Sequence, residues 1–366
     1  MKHSKYFINA IWLALEKLLR LFAALFVGVL IARYLGPSNY GNLNFAIGFT
    51  SLFGAVAALG LDSVLVREFI GKKYADLEIL GTSFVLKVAA TLLMWLLIFI
   101  ACSLLEYDTK SVTLIAIVSF ATIFQSTNVI DFKLQAHVKS KFVAKLLLLQ
   151  LLVSSLFKVY LVYVEASLES FAWVFTFESI IYSIGLLTIN KAVFKDSILR
   201  WKWNKSLALE LLKEGLPYIF AGIAIAAYLK IDIIMVKTLL DDHSAGVYSA
   251  AVRLSEAWYF LPAVIISSFF PAIVKSKLVN NRMFYSQLKQ LSAGLIMLAL
   301  FISVPASIFS TQIINTLYGT DYSGSTSILL IHIWSTIFVF LGMISHRWHV
   351  IEKEQGMALR RSVIGL

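Results

Sequence analysis

The sequence predicts an all-α integral membrane protein with about ten transmembrane helices. Hydrophobic residues make up 59% of the 366-residue chain and charged residues only 14%, against about 25% charged in soluble domains. Mean hydropathy is +0.82. Apolar runs of roughly 20 residues, enough for a helix to cross a hydrocarbon core about 30 Å thick, recur along the whole chain. A membrane β-barrel would instead show segments of about ten residues alternating in polarity, so the spans read as helices, whose backbone groups are satisfied within each segment.

The first run, 11–32, is interrupted by Glu16, Lys17 and Arg20 and has no small-residue cleavage pattern after it. It therefore reads as a retained span, not a signal peptide. Further spans follow at 42–61, 81–104, 112–130, 146–164 and 170–190. The single cysteine, Cys102, sits near the end of the third span, cannot form an intramolecular disulfide and has no metal-ligand spacing. A basic stretch at 191–216, carrying Trp201 and Trp203, reads as an interfacial linker or amphipathic helix. Four more spans, 217–238, 246–270, 291–314 and 325–345, complete the set.

Of the 32 Lys and Arg residues, 23 fall in the N-terminal tail and alternate loops, three (Arg33, Lys110 and Lys237) in the opposite loops and six within spans. By the positive-inside rule both termini are cytoplasmic. Basic inner loops facing anionic headgroups account for the net charge of +11 without nucleic acid. Membrane lipids are the expected partners of that charge.

An internal repeat supports a two-bundle plan. "ARYLGPSNYGNLNFA", ending at Ala46, and "KTLLDDHSAGVYSAA", ending at Ala251, align at an offset of 205, placing Leu35 on Leu240, Gly41 on Gly246 and Ala46 on Ala251. Six spans separate the copies, so both have the same orientation. Parallel repeats of this kind build transporters with a substrate path between two bundles. The expected organisation is an N-terminal six-helix bundle at 1–190, the linker at 191–216 and a C-terminal bundle at 217–366 holding four spans and the start of a fifth.

Ten formally charged residues are assigned to the spans: Glu16, Lys17, Arg20, Lys87, Lys158, Glu178, Lys230, Asp232, Arg253 and Glu256. Each costs about 2.5–3.5 kcal/mol at a helix centre on insertion scales, so those near mid-depth should face protein or water. Lys87 is close enough to the inner end to snorkel, and Lys158 and Glu178 sit at matching depth on consecutive helices, as an ion pair would. Glu16 and Arg20 share one helix face, as do Arg253 and Glu256. Two readings stay open: the charges neutralise one another between helices, or they line a polar path whose basic excess suits a phosphate or diphosphate. In the second, Arg20, Lys17, Lys230 and Arg253 bind the anion, and Glu16, Asp232 and Glu256 are candidate proton-coupling carboxylates.

The stretches "GVLIARYLGPSNYGNLNFAIGF", "ALGLDSVLVREF" and "RRSVIGL" resemble the Wzx-type O-antigen and polysaccharide flippases of the multidrug/oligosaccharidyl-lipid/polysaccharide exporter superfamily. The resemblance implies alternating access, movement of undecaprenyl-diphosphate-linked oligosaccharide across the bacterial inner membrane, and a cationic cavity that maps by position onto Arg20, Lys17, Lys230 and Arg253. Other polysaccharide-assembly proteins are candidate partners, and no cofactor or metal is implied. Members usually have twelve spans, so ten leave a truncated or inactive product as an open expectation.

A multidrug or organic-cation antiporter is the first alternative, disfavoured by six basic against four acidic residues in the spans. A membrane polymerase or glycosyltransferase would need a sizeable outer loop, whereas Asp241 and Asp242 lie in a tight turn suited to capping the next helix. A scaffold has little reason to bury Arg20. No HExxH, phosphate-binding glycine loop or cysteine pair is present. His346, His349 and Glu352 read as solvated surface.

Overall fold

The computed structural model describes residues 2–352, with side chains for 19–345 apart from short gaps at 24, 267–268, 270–272 and 278–279, and for Trp348. All regular structure among these residues is helical. Among the described residues, nine helical segments are long and apolar enough to cross a membrane. The first of them carries two of the ten predicted spans.

That first segment begins with α1 (Lys2–Ala58), whose 57 residues would extend about 86 Å if straight, far beyond one bilayer. It is broken at Gly36, whose φ of 69° lies in the left-handed region, open to glycine without a Cβ penalty. Pro37 then starts the second half, where its missing N–H costs nothing. The turn's surroundings place both halves. Tyr34 donates to the Ala166 carbonyl, in the loop after α6 (Ser140–Tyr163), while Ala58 meets Lys87 at the other end.

Short α2 (Asp62–Gly71) leads to α3 (Asp76–Leu104). The fourth span is composite, with α4 (Thr109–Phe120), a 3-10 segment (Ala121–Asn128) and α5 (Val129–Ala136). In the 3-10 segment the hydroxyls of Thr122 and Thr127 donate to carbonyls three residues back. Next come α6, α7 (Leu168–Phe194) and α8 (Lys205–Leu239).

The linker before α8 docks on the start of α3. The Lys202 amide donates to the Leu77 carbonyl, the Asn204 amide to Thr82 Oγ1, and a Cβ on Gly81 would strike the Lys202 backbone. Trp201 packs edge-on against Phe84, whereas Trp203 is exposed.

The chain forms two compact units, 1–245 and 246–366. The linker at 191–216 therefore falls inside the first unit, because α8 packs along α1. Their seam is lined by small residues: a Cβ on Gly48 would meet Ile233 Cγ2 at 2.8 Å and one on Gly222 would meet Ala55 Cβ at 2.9 Å. Such residues let helix backbones approach closely where lipid supplies no hydrophobic drive. The second unit holds most of α9 (Asp242–Glu256), a 3-10 turn (Ala257–Tyr259), α10 (Phe260–Val279), α11 (Asn281–Ile308), α12 (Ser310–Leu317), α13 (Ser325–His332) and α14 (Ser335–Glu352). The matched repeat positions Ala46 and Ala251 are buried in both copies.

Candidate functional site

Five of the seven predicted anion-binding and coupling residues fall at two places on the first unit, Glu16, Lys17 and Arg20 on α1 and Lys230 and Asp232 on α8. Arg20 is exposed on the first half of α1. The side chains of Glu16 and Lys17 lie outside the described residues. Lys230 and Asp232 are half-buried on α8, and Asp232 Oδ1 accepts from the neighbouring Ile233 amide at 2.8 Å. Lys230 lies where α8 crosses the second half of α1: its Cβ and carbonyl sit 4.0 Å from the point a Gly48 Cβ would occupy. The bare glycine lets the lysine stem lie along the seam, and among the described residues no carboxylate pairs with its ammonium. In the second unit, Arg253 and Glu256 are half-buried on the last turn of α9.

The other charged span residues are absorbed structurally. Lys158 donates to Glu178 Oε1 at 2.7 Å across α6 and α7, the ion pair their matching depth predicts. Lys87 corrects the expectation of snorkelling. It is buried, donates to the Ala58 carbonyl at 3.3 Å and lies 4.0 Å from Asp62 Oδ1 and over the Phe132 ring. The C-terminal carbonyls of α1 need donors, and that of Ala58 is within reach of the ammonium.

Two polar networks had no clear sequence signal. At the basic end, Lys133 on α5 is almost wholly buried, pairs with Asp76 and Asp196 and sits over the Phe194 ring. Nearby, exposed pairs join Arg67 to Glu214, and Lys73 and Tyr74 to Glu210, tying α2 and its following loop to the start of α8. The bond to Glu210 raises the Lys73 pKa.

The opposite end of the unit holds a network around Asn42. Fully buried Asn42 donates to Asp242 Oδ2 at 3.3 Å and accepts from Ser111 Oγ at 3.0 Å. Lys237 bonds Asp242, approaches Asp108 Oδ1 at 3.7 Å and lies over the Phe45 ring. Lys110 donates to Asn39 Oδ1, and Tyr107 bonds Thr238. Asp241 caps α9 as predicted, accepting from the Ser244 amide at 2.7 Å, and that bond lowers its pKa.

The sequence profile of the polysaccharide biosynthesis protein family matches residues 7–277. No curated protein matches the sequence. Among solved structures, the inward-facing form of a multidrug resistance MATE family transporter of the MOP superfamily aligns with a TM-score of 0.65 at 13% identity, covering 94% of this chain and 83% of that one. A MATE protein in complex with MaL6 aligns at 0.61 and 13% identity, covering 98% and 85%. The eukaryotic MATE transporter AtDTX14 aligns at 0.51 and 12% identity, covering 96% and 85%. At such identities the likeness is one of fold.

Proposed function

Because this chain belongs to the polysaccharide biosynthesis protein family, we propose that it is a flippase, not an enzyme, which moves undecaprenyl-diphosphate-linked oligosaccharide from the cytoplasmic to the periplasmic leaflet of a bacterial inner membrane. Both termini are then cytoplasmic, with the basic loops on the same side. The observation that carries the reading is Lys230. A half-buried lysine on a membrane-spanning helix, with no carboxylate paired to its ammonium among the described residues, is costly unless an anion joins it. A diphosphate supplies that anion. Lys17 and Arg20 on α1 and Arg253 on α9 are its further proposed contacts, with Glu16, Asp232 and Glu256 as coupling carboxylates.

The test is export of surface polysaccharide in a strain lacking its own flippase, with membrane protein level measured in parallel. Losing a charge-assisted bond worth about 1.5–3 kcal/mol lowers the apparent affinity for the lipid-linked substrate about tenfold or more. Lys230→Ala should therefore cut export at limiting substrate, while Lys230→Arg keeps most of it. Unaltered export in both Lys230→Ala and Arg20→Ala overturns the diphosphate site. Export of cationic drugs without polysaccharide favours the multidrug alternative.

A further inference from the structure

The second unit contains two helices interrupted side by side. α9 ends at Glu256 and passes through the 3-10 turn Ala257–Tyr259 into α10. α13 ends at His332, and past it the amides of Trp334, Thr336 and Ile337 reach only three residues back, to Ile331, Ile333 and Trp334. The two chains descend in parallel. Ser325 Oγ donates to the Val247 carbonyl at 2.6 Å, Ser255 Oγ lies 2.6 Å from His332 Nδ1, and Tyr259 bonds Ser335 at 2.9 Å. At 1.5 Å per residue His332 is about 10 Å below the Ser325 contact, well inside the apolar span 325–345.

The polar groups at this depth are arranged around the breaks. Ser303 of α11 donates to the Ile333 carbonyl at 3.1 Å, and the Tyr248 ring meets the imidazole edge to face at 6.4 Å. The fully buried Thr336 hydroxyl has no hydrogen-bond partner among the described residues. Interrupted helices inside a membrane are tolerated where buried protein or an aqueous cavity re-satisfies the backbone, and ionisable residues there mark ion pathways.

From this geometry we infer that His332 is an intramembrane proton-binding site whose two protonation states are both accommodated by Ser255. With a neutral ring accepting at Nδ1, Ser255 donates to it. With the proton on Nδ1, the ring donates to Ser255 Oγ, and the hydroxyl turns to the Val252 carbonyl, 2.9 Å away, or to that of Ala251, 3.3 Å away. Loading one proton therefore reverses one hydrogen bond and breaks none. Imidazole is the one side chain whose ordinary pKa allows this switch between about pH 5 and 8.

The ionisable side chains on the surrounding elements are read along the chain. α9 contributes Arg253 and Glu256, one to two residues from Ser255, and Tyr248; the 3-10 turn contributes Tyr259. On α10, Lys275 and Lys277, and on α11, Arg282, Tyr285 and Lys289, lie 14 or more residues from Tyr259 and Ser303 respectively, roughly 20 Å along their helices. α12 has no ionisable side chain; Asp321 and Tyr322 precede α13, and His346, Arg347, His349 and Glu352 close α14. The His332 site takes a proton whatever the cargo.

The experiment is a pH titration of the full chain, labelled with 15N-histidine, in lipid nanodiscs. The His332 resonance is assigned by its loss in His332→Gln or, if that variant does not fold, by its displacement in Ser255→Ala. Expected is a single titration between about pH 5 and 8, with Ser255→Ala moving its midpoint by about half a unit or more. A ring that keeps one protonation state across that range, or a midpoint that Ser255→Ala leaves in place, overturns the inference.

Discussion

The two ends of the α1–α8 seam are held by opposite physics. At the basic end the backbones themselves meet: Gly60, with φ of +61°, lies against Tyr218 and Gly215, and a Cβ on Gly215 would collide with the Leu59 carbonyl. At the other end Asn42, Ser111, Asp108, Lys237 and Asp242 join α1, α4, α8 and α9 through charged and neutral hydrogen bonds. A steric contact has no alternative partner and fails only if the helices separate. A polar contact can be exchanged for water or a proton. One seam thus combines a fixed end with an end that can be taken apart.

The largest effect is expected at the fixed end. Gly215→Leu places a side chain where a backbone carbonyl already sits, and overpacking of this kind costs about 1–3 kcal/mol, toward the upper limit where backbone cannot yield. The expected result is a lower melting temperature in detergent and less inserted protein. Gly54→Leu, on the second half of α1 with nothing within 4 Å of its Cβ position, is the control and should melt near the wild type. Equal losses in both would mean that helix glycines matter here for reasons other than the seam.

At the polar end, Asn42→Leu removes a buried donor and acceptor, and Lys237→Met removes the cation from Asp242. Each leaves a partly buried group with fewer partners, about 1–3 kcal/mol. The loss should appear in the same melting assay and, unlike that of Gly215→Leu, should be non-additive in the double variant, since both act on Asp242. Strict additivity would show that the network is a set of independent bonds.

How much of this was legible in the sequence follows from the range of each interaction. The spans were legible because apolar length is a local property: 81–104 lies within α3, and 170–190 within α7. Lys158 and Glu178 were legible because helices joined by one short loop bring matching depths together. The Asn42 network was not, since Ser111 and Asp242 are 69 and 200 residues away, and Lys237 read as a loop charge. Lys87 was misread because a nearby carbonyl competes with the headgroups for its ammonium. His332 escaped a reading built on formal charges, in which histidine counts as neutral. The linker's place on α3 depends on Gly81 being bare, a fact of contact and not of pattern.

The smallest expected effect separates one carboxylate from the rest of the polar end. Partial burial works against ionisation of Asp108, but the hydroxyl and amide of Ser111 and the ammonium of Lys237 outweigh it and hold its pKa below the ordinary value. A carboxylate depressed in the folded state contributes stability that is complete above its unfolded pKa and lost as pH falls through the folded one. Melting temperature should therefore fall between about pH 5 and pH 3, and Asp108→Asn should flatten part of that fall while melting lower at neutral pH. Asp241, whose pKa is lowered by its bond to the Ser244 amide, keeps its own acid limb in that variant. An unchanged acid slope in Asp108→Asn would place the titrating group elsewhere and reduce Asp108 to a helix cap for α4. A slope flattened by that substitution but not by Lys237→Met would assign the shift to Ser111 alone and leave the ammonium to Asp242.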